Sequence, residues 1–214
     1  MPEAFERLCR ARPAARFAVF AALSLLTRLV LLGVPVVDLD EAVYLTGARE
    51  LLRGGVPYVG FADNKPPLVF VYYAAAQRLG DGMLPVRLLT VLGVVPLVAF
   101  CASACFGHDR RGAAAGLAFI VWSAAFLGHD MHAVNCELLM LGPLALAVLA
   151  LRDEAAARSA SRAFVAGLLL GMAVLFKYQA AAWGPALAAC VLVASRRDRV
   201  RPILARLAAL GVGA

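Results

Sequence analysis

Residues 17–37, FAVFAALSLLTRLVLLGVPVV, carry a single charge, Arg28, in 21 consecutive positions. A hydrocarbon core about 30 Å thick takes about 20 apolar residues as a helix, and similar runs recur along the chain. Spans are expected at about 17–37, 88–106, 113–128, 133–151, 163–177 and 180–195, with an incomplete one at 203–214. Hydrophobic residues make up 63% of the 214, against about 45–50% in soluble domains, so the bilayer is the solvent for most of the chain. The net charge of +7 sits in short clusters between apolar runs, the pattern of membrane loops and not of a nucleic-acid-binding face. The expected fold is all-α, a polytopic transmembrane helical bundle. The first run is too long for a signal-peptide core and no small-residue cleavage site follows it, so it reads as an uncleaved helix. The five cysteines have neither disulfide nor zinc spacing, and Cys101 and Cys105, four apart inside an apolar run, read as small core residues. Residues 201–214 start a helix without completing it, and a piece of a longer protein is expected.

The arginines orient the bundle. Residues 68–79 are apolar but too few to cross: 12 residues reach about 18 Å as a helix. With that segment left outside, Arg7, Arg10, Arg12, Arg16, Arg110, Arg111, Arg152, Arg158, Arg162, Arg196, Arg197, Arg199 and Arg201 all fall on one side, as cytoplasmic loops require. Residues 38–87 then form an external loop, and the N-terminus is cytoplasmic.

Polar chemistry collects in that loop. Asp38, Asp40 and Glu41 follow the first apolar run. EAVYLTGARELLR, residues 41–53, reads as an amphipathic helix on the membrane surface, with Asp40 in the N-cap position, Glu41 supporting its first turn and Gly54-Gly55 ending it. Asn64-Lys65 precedes Pro66-Pro67, which permit a helix start. A lysine beside exposed helix N–H groups is a phosphate site. The only other lysine, Lys177, falls on the same side.

Two further features face that side, and Arg28 lies mid-helix by count. His129, Asp130 and His132 are weak metal-ligand candidates, together with Asp40. Glu137 begins a membrane helix, where an ionisable side chain is a functional candidate or the partner of a cation such as Arg28 or Lys177. Arg28 either pairs with an acid, reads an anionic ligand or snorkels.

An ordered set of motifs carries a resemblance: TRL (Thr27–Leu29), Asp40-Glu41 with Tyr44, ARELLRGGVPY (Ala48–Tyr58), DNKPPL (Asp63–Leu68), VRLLTVL (Val86–Leu92), NCELLML (Asn135–Leu141) and GMAVLFKYQA (Gly171–Ala180). The chain resembles the N-terminal portion of the GT-C membrane glycosyltransferases, in the bacterial branch related to protein O-mannosyltransferases and lipid A aminoarabinose transferases. The resemblance implies a GT-C-like bundle with amphipathic helices in the first extracytoplasmic loop, in a bacterial inner membrane. It implies a polyprenyl-phosphate sugar donor and a lipid, glycan or protein acceptor. Asp40 matches the essential loop acid and Glu137 a second acid, the two catalytic candidates. Lys65 matches the lysine near the lipid phosphate, with Lys177, Arg28, Glu41, Tyr44 and Asp63 as further substrate contacts. The reaction it implies is a single displacement with inversion; a divalent ion is an option and no cofactor is certain. A transporter or flippase is the rival class, and an inactive truncated piece a third reading.

Overall fold

The computed structural model describes residues 2–60, 63–107, 109–125, 132–196, 198 and 200–214. Among them every regular element is helical. A short amphipathic helix, α1 (Pro2–Arg10), buries Leu8 and Cys9. Next, α2 (Pro13–Arg28) runs through a 3₁₀ turn to Gly33, giving 21 apolar residues long enough to cross a membrane. The helix starts and ends four residues before the expected 17–37 span. Pro13 fits a first turn, where its missing N–H is not needed, and Pro35 disfavours helix at Val34, which is extended.

Two helices follow in the loop, α3 (Leu39–Leu52) and α4 (Leu68–Gln77). Gly54, at φ +89°, ends α3 in a conformation that a side chain would strain. At 10 residues, α4 reaches only about 15 Å. Then α5 (Met83–Leu89) continues through a π turn, Thr90–Val94, into α6 (Val95–Phe106), a second rod of 24 residues long enough to cross. Pro96, in the first turn of α6, lacks the N–H that a regular ladder would use there, and the π turn lies just before it.

The remaining helices are α7 (Arg110–Ala125), α8 (Cys136–Ala150), the single turn α9 (Glu154–Ala157), α10 (Ala160–Phe176), α11 (Gly184–Ala194, after a 3₁₀ turn at Tyr178–Trp183) and α12 (Val200–Gly213). Small residues let backbones meet. A Cβ on Gly116 would lie 2.9 Å from the Ala99 carbonyl of α6, and one on Gly167 2.1 Å from the Leu210 carbonyl of α12. Such close approach is how helices associate where no hydrophobic effect separates them from lipid.

The loop helices cap one end of the bundle. Tyr44 and Ala48 of α3, Phe70, Tyr73 and Ala76 of α4, Met83 and Val86 of α5, Cys136 and Leu139 of α8 and Phe176 of α10 form one buried cluster. Tyr44 meets Phe70 and Tyr73 edge to face, at 5.8 and 5.5 Å between ring centroids. The Tyr73 hydroxyl donates to the Val134 carbonyl. One face of α3 is thus buried against protein, and Leu39 and Val43 stay exposed on the other. The cap fixes residues 38–87 to the ends of α8 and α10, which is what assembles the site below.

Candidate active site

The N-terminus of α3 lies two residues before the expected one, with a chemical consequence. Its N-cap is Asp38, not Asp40: Asp38 Oδ1 accepts the backbone N–H of Asp40 at 3.2 Å. Asp40 therefore lies inside the first turn with its carboxylate available. Asp40 Oδ2 accepts from Lys65 Nζ and from the Tyr44 hydroxyl, each at 3.0 Å. Oδ1 takes no bond from the described residues.

Lys65 is aimed by its loop. Asp63 Oδ1 accepts the Lys65 backbone N–H at 3.1 Å, a turn closed by a side chain. The Tyr58 hydroxyl donates to the Lys65 carbonyl at 2.6 Å. Tyr58 itself adopts φ 65°, uncommon for a bulky residue, and that hydrogen bond holds it there. Asp63 thus acts on the lysine's backbone as well as adding its charge nearby.

A second pair stands beside the first. Glu137, in the first turn of α8, pairs with Lys177 at the C-terminal end of α10. Asn135 caps α8, its side chain accepting the Leu138 N–H at 3.1 Å. Cys136, next to Glu137, bonds Tyr44, which bonds Asp40, so the two pairs stand close together, and the charge of Lys177 adds to the lowering of Asp40. Both pairs are half-exposed: 39% and 28% for Asp40 and Lys65, 34% and 20% for Glu137 and Lys177.

Burial alone would raise the Asp40 carboxyl. The hydrogen bonds from Lys65 and Tyr44, with the charges of Lys65 and Lys177, outweigh it and hold Asp40 below the ordinary carboxylate value. For Lys65 burial lowers the ammonium, and the bond and charge of Asp40 more than restore it, so it is raised. The Tyr44 hydroxyl is pushed up by burial and then by Cys136, whose thiol donates to it at 3.3 Å. Cys136, Tyr44 and Asp40 form a short chain of hydrogen bonds leading out of the core.

Two other expected contacts lie elsewhere. Glu41 is fully buried and saturated: Oε2 accepts from Arg87 at 2.8 Å and from the Val37 N–H at 2.7 Å, and Oε1 from the Val134 N–H at 3.0 Å. Arg87 also donates to the carbonyls of Leu31 and Val34. This pair ties the extended link after α2 to α3, α5 and the segment before α8. Its carboxylate has no surface to offer a substrate. Arg28, the last residue of α2, is 2% exposed and donates to Ser123 at 2.8 Å and Thr27 at 3.2 Å. It shares with Arg87 and His132 the wall of a void of only about 10 Å³, deep in the bundle and too small for a lipid phosphate.

Two of the metal candidates, His132 and Asp40, lie within the described residues. His129 and Asp130 lie outside the described residues. His132 Nε2 meets the Ala124 carbonyl at 2.9 Å, and Asp40 shares its bonded oxygen with Lys65. Among the described residues no three His, Cys, Asp or Glu side chains come together around one point.

Residues 64–213 match the family of dolichyl-phosphate-mannose-protein mannosyltransferases. The chain belongs to that family. It is therefore a membrane glycosyltransferase of the GT-C type, with an all-α membrane fold. The match takes in Lys65, Glu137 and Lys177, three of the four charged residues of the two open ion pairs. Asp40 precedes it, and the Lys65 bond and the α3–α4 packing bring it to the other three. Comparison with curated proteins and with solved structures found no match. Arg87 and Cys136, which hold Glu41 and Tyr44, went unassigned in the sequence reading. The signal for Arg87 was available: a cation within an apolar run commonly pairs with an acid or with backbone carbonyls, and Arg87 does both.

Proposed function

We propose that the protein transfers a sugar from a polyprenyl-phosphate donor to an acceptor hydroxyl on the extracytoplasmic face of a bacterial inner membrane. The acceptor is a lipid, a glycan or a protein. The observation that carries this reading is the convergence of Asp40–Lys65 and Glu137–Lys177 at one end of the bundle. It supplies a base and two cations where an anionic lipid headgroup would meet a second substrate. Arg110 and Arg111, Arg152, Arg158 and Arg162, and Arg196 and Arg201 lie at the other ends of the helices, which supports a cytoplasmic N-terminus.

In this reading Asp40 takes the proton of the acceptor hydroxyl as its oxygen attacks the anomeric carbon. The bond from that carbon to the phosphate oxygen breaks, and its electron pair leaves with the polyprenyl phosphate. Configuration inverts, because attack and departure are on opposite faces. Asp40 then passes its proton to water. Lys65 and Lys177 compensate the charge that grows on the leaving phosphate, the larger electrostatic task since phosphate needs little protonation to leave. Glu137 holds Lys177 and orients the sugar. Tyr44 and Asp63 act through Asp40 and Lys65.

The test is consumption of a polyprenyl-phosphate sugar by purified protein, comparing wild type with Asp40→Asn. Loss of turnover in the variant is expected, with the fold retained. Equal rates would remove Asp40 from the chemistry, and donor left intact by the wild type would sink the transferase reading.

A further inference from the structure

Three ion pairs meet at the capped end of the bundle, and they are not alike. Glu41–Arg87 is sealed, with every carboxylate bond supplied by protein. Asp40–Lys65 and Glu137–Lys177 are open to solvent by a fifth to two-fifths. In each open pair one carboxylate oxygen accepts from the lysine, and the other takes no bond from the described residues. Pairs this exposed contribute little to stability, and the sealed pair already ties α3 to the bundle. Their geometry suits them to open.

We infer that Asp40 and Glu137 are built-in competitors of the carrier phosphate: each holds a lysine, and the polyprenyl phosphate binds by taking both lysines over. This rests on the reading above and gives the acids a second task. The donor is a phosphodiester with one negative charge. The released carrier is a phosphomonoester, whose second ionisation near pH 6 leaves it close to −2 at neutral pH. Two uncommitted lysines would therefore hold product more tightly than substrate. With an acid beside each lysine, the departing phosphate is replaced by a carboxylate already in place, and the product is released. The exchange also times the base. While Lys65 is bonded to Asp40 the carboxylate is a weak proton acceptor. When Lys65 moves to the phosphate, the acid recovers its basicity with the donor bound.

The test is the affinity of polyprenyl phosphate for detergent-solubilised protein, with its product-inhibition constant as a second measure. Asp40→Asn and Glu137→Gln keep shape and hydrogen bonding while removing the competing charge. Each should bind polyprenyl phosphate about three- to fivefold more tightly than wild type, the scale set by a half-exposed ion pair. The gain for the phosphodiester donor should be smaller. Adding Lys65→Ala to Asp40→Asn should abolish that variant's gain. Unchanged or weaker binding in both acid variants, with wild type still binding, overturns the exchange and leaves the transferase reading intact. If wild type does not bind, or if Lys65→Ala and Lys177→Ala bind as well as it does, the lysines are not phosphate ligands and both readings fall.

Discussion

Asp40 and Glu41 are adjacent on one helix turn, and the structure gives them opposite environments. Glu41 points inward, loses all contact with water and is matched bond for bond by Arg87 and two backbone N–H groups. Asp40 points to the rim and shares a single oxygen between Lys65 and Tyr44. A sealed pair is costly to break because removing one partner leaves the other charge stranded in a low dielectric. An open pair is nearly free to break, since water takes each partner over. The first is architecture and the second, in the proposed reading, is chemistry, separated by about 100° of helix rotation.

The largest expected effect is on turnover. Asp40→Asn should lower kcat by about 10²- to 10⁴-fold, the range of a lost general base, and leave thermal unfolding near that of wild type. Glu41→Gln should do the reverse in kind, destabilising the fold by about 3–5 kcal/mol, read by chemical unfolding in micelles. Replacing both partners, Glu41→Leu with Arg87→Met, should recover most of that loss, because no buried charge is left unpaired. If Glu41→Gln unfolds like wild type while turnover collapses, the two acids have been assigned the wrong way round.

A smaller effect is expected on pH dependence. Asp40 must be ionised to act, so kcat/KM falls as pH drops through its value in the free enzyme. That value lies below the ordinary carboxylate value because the hydrogen bonds from Lys65 and Tyr44 and the charges of Lys65 and Lys177 overcome burial. Lys65→Met removes the main lowering contacts and leaves burial, so the acid limb should move to higher pH, and Tyr44→Phe should move it less. A limb that stays in place in Lys65→Met would detach Asp40 from the profile. The smallest effect is expected at Arg49–Asp81, an exposed pair at 2.8 Å on the far part of the loop. Arg49→Ala should alter neither Tm nor turnover measurably, which makes it the control for the other three.

Much of the architecture was legible because it rests on local patterns. The apolar runs led to helices within a few residues, and the shift of the first falls where Pro13 and Pro35 act on the backbone. Residues 68–79 were too short to cross whatever they packed against, and Gly54 had to end α3. Lys65, Lys177, Asp40 and Glu137 stood out as charges at the ends of apolar runs. Their pairing was not legible. It depends on α4 docking on α3 and on α8 and α10 ending side by side, contacts between residues 25 and 40 positions apart. The cap was misjudged by two residues because Asp38 and Asp40 are both good N-cap residues, and only the extended backbone at Asp38 decides between them. Arg28 shows the same limit: its place in the first helix was plain, but whether it met an acid, a ligand or Ser123 depended on where α7 lay.

The sequence by itself marked this chain for a membrane, marked its longer helices, and set Lys65, Lys177, Asp40 and Glu137 at the ends of apolar runs. Those properties follow from hydrophobicity and backbone chemistry, which act residue by residue. Only the tertiary structure decided which acid is sealed and which is open. Burial belongs to the packed neighbours of a side chain, and Asp40 and Glu41 differ in theirs while sharing everything local.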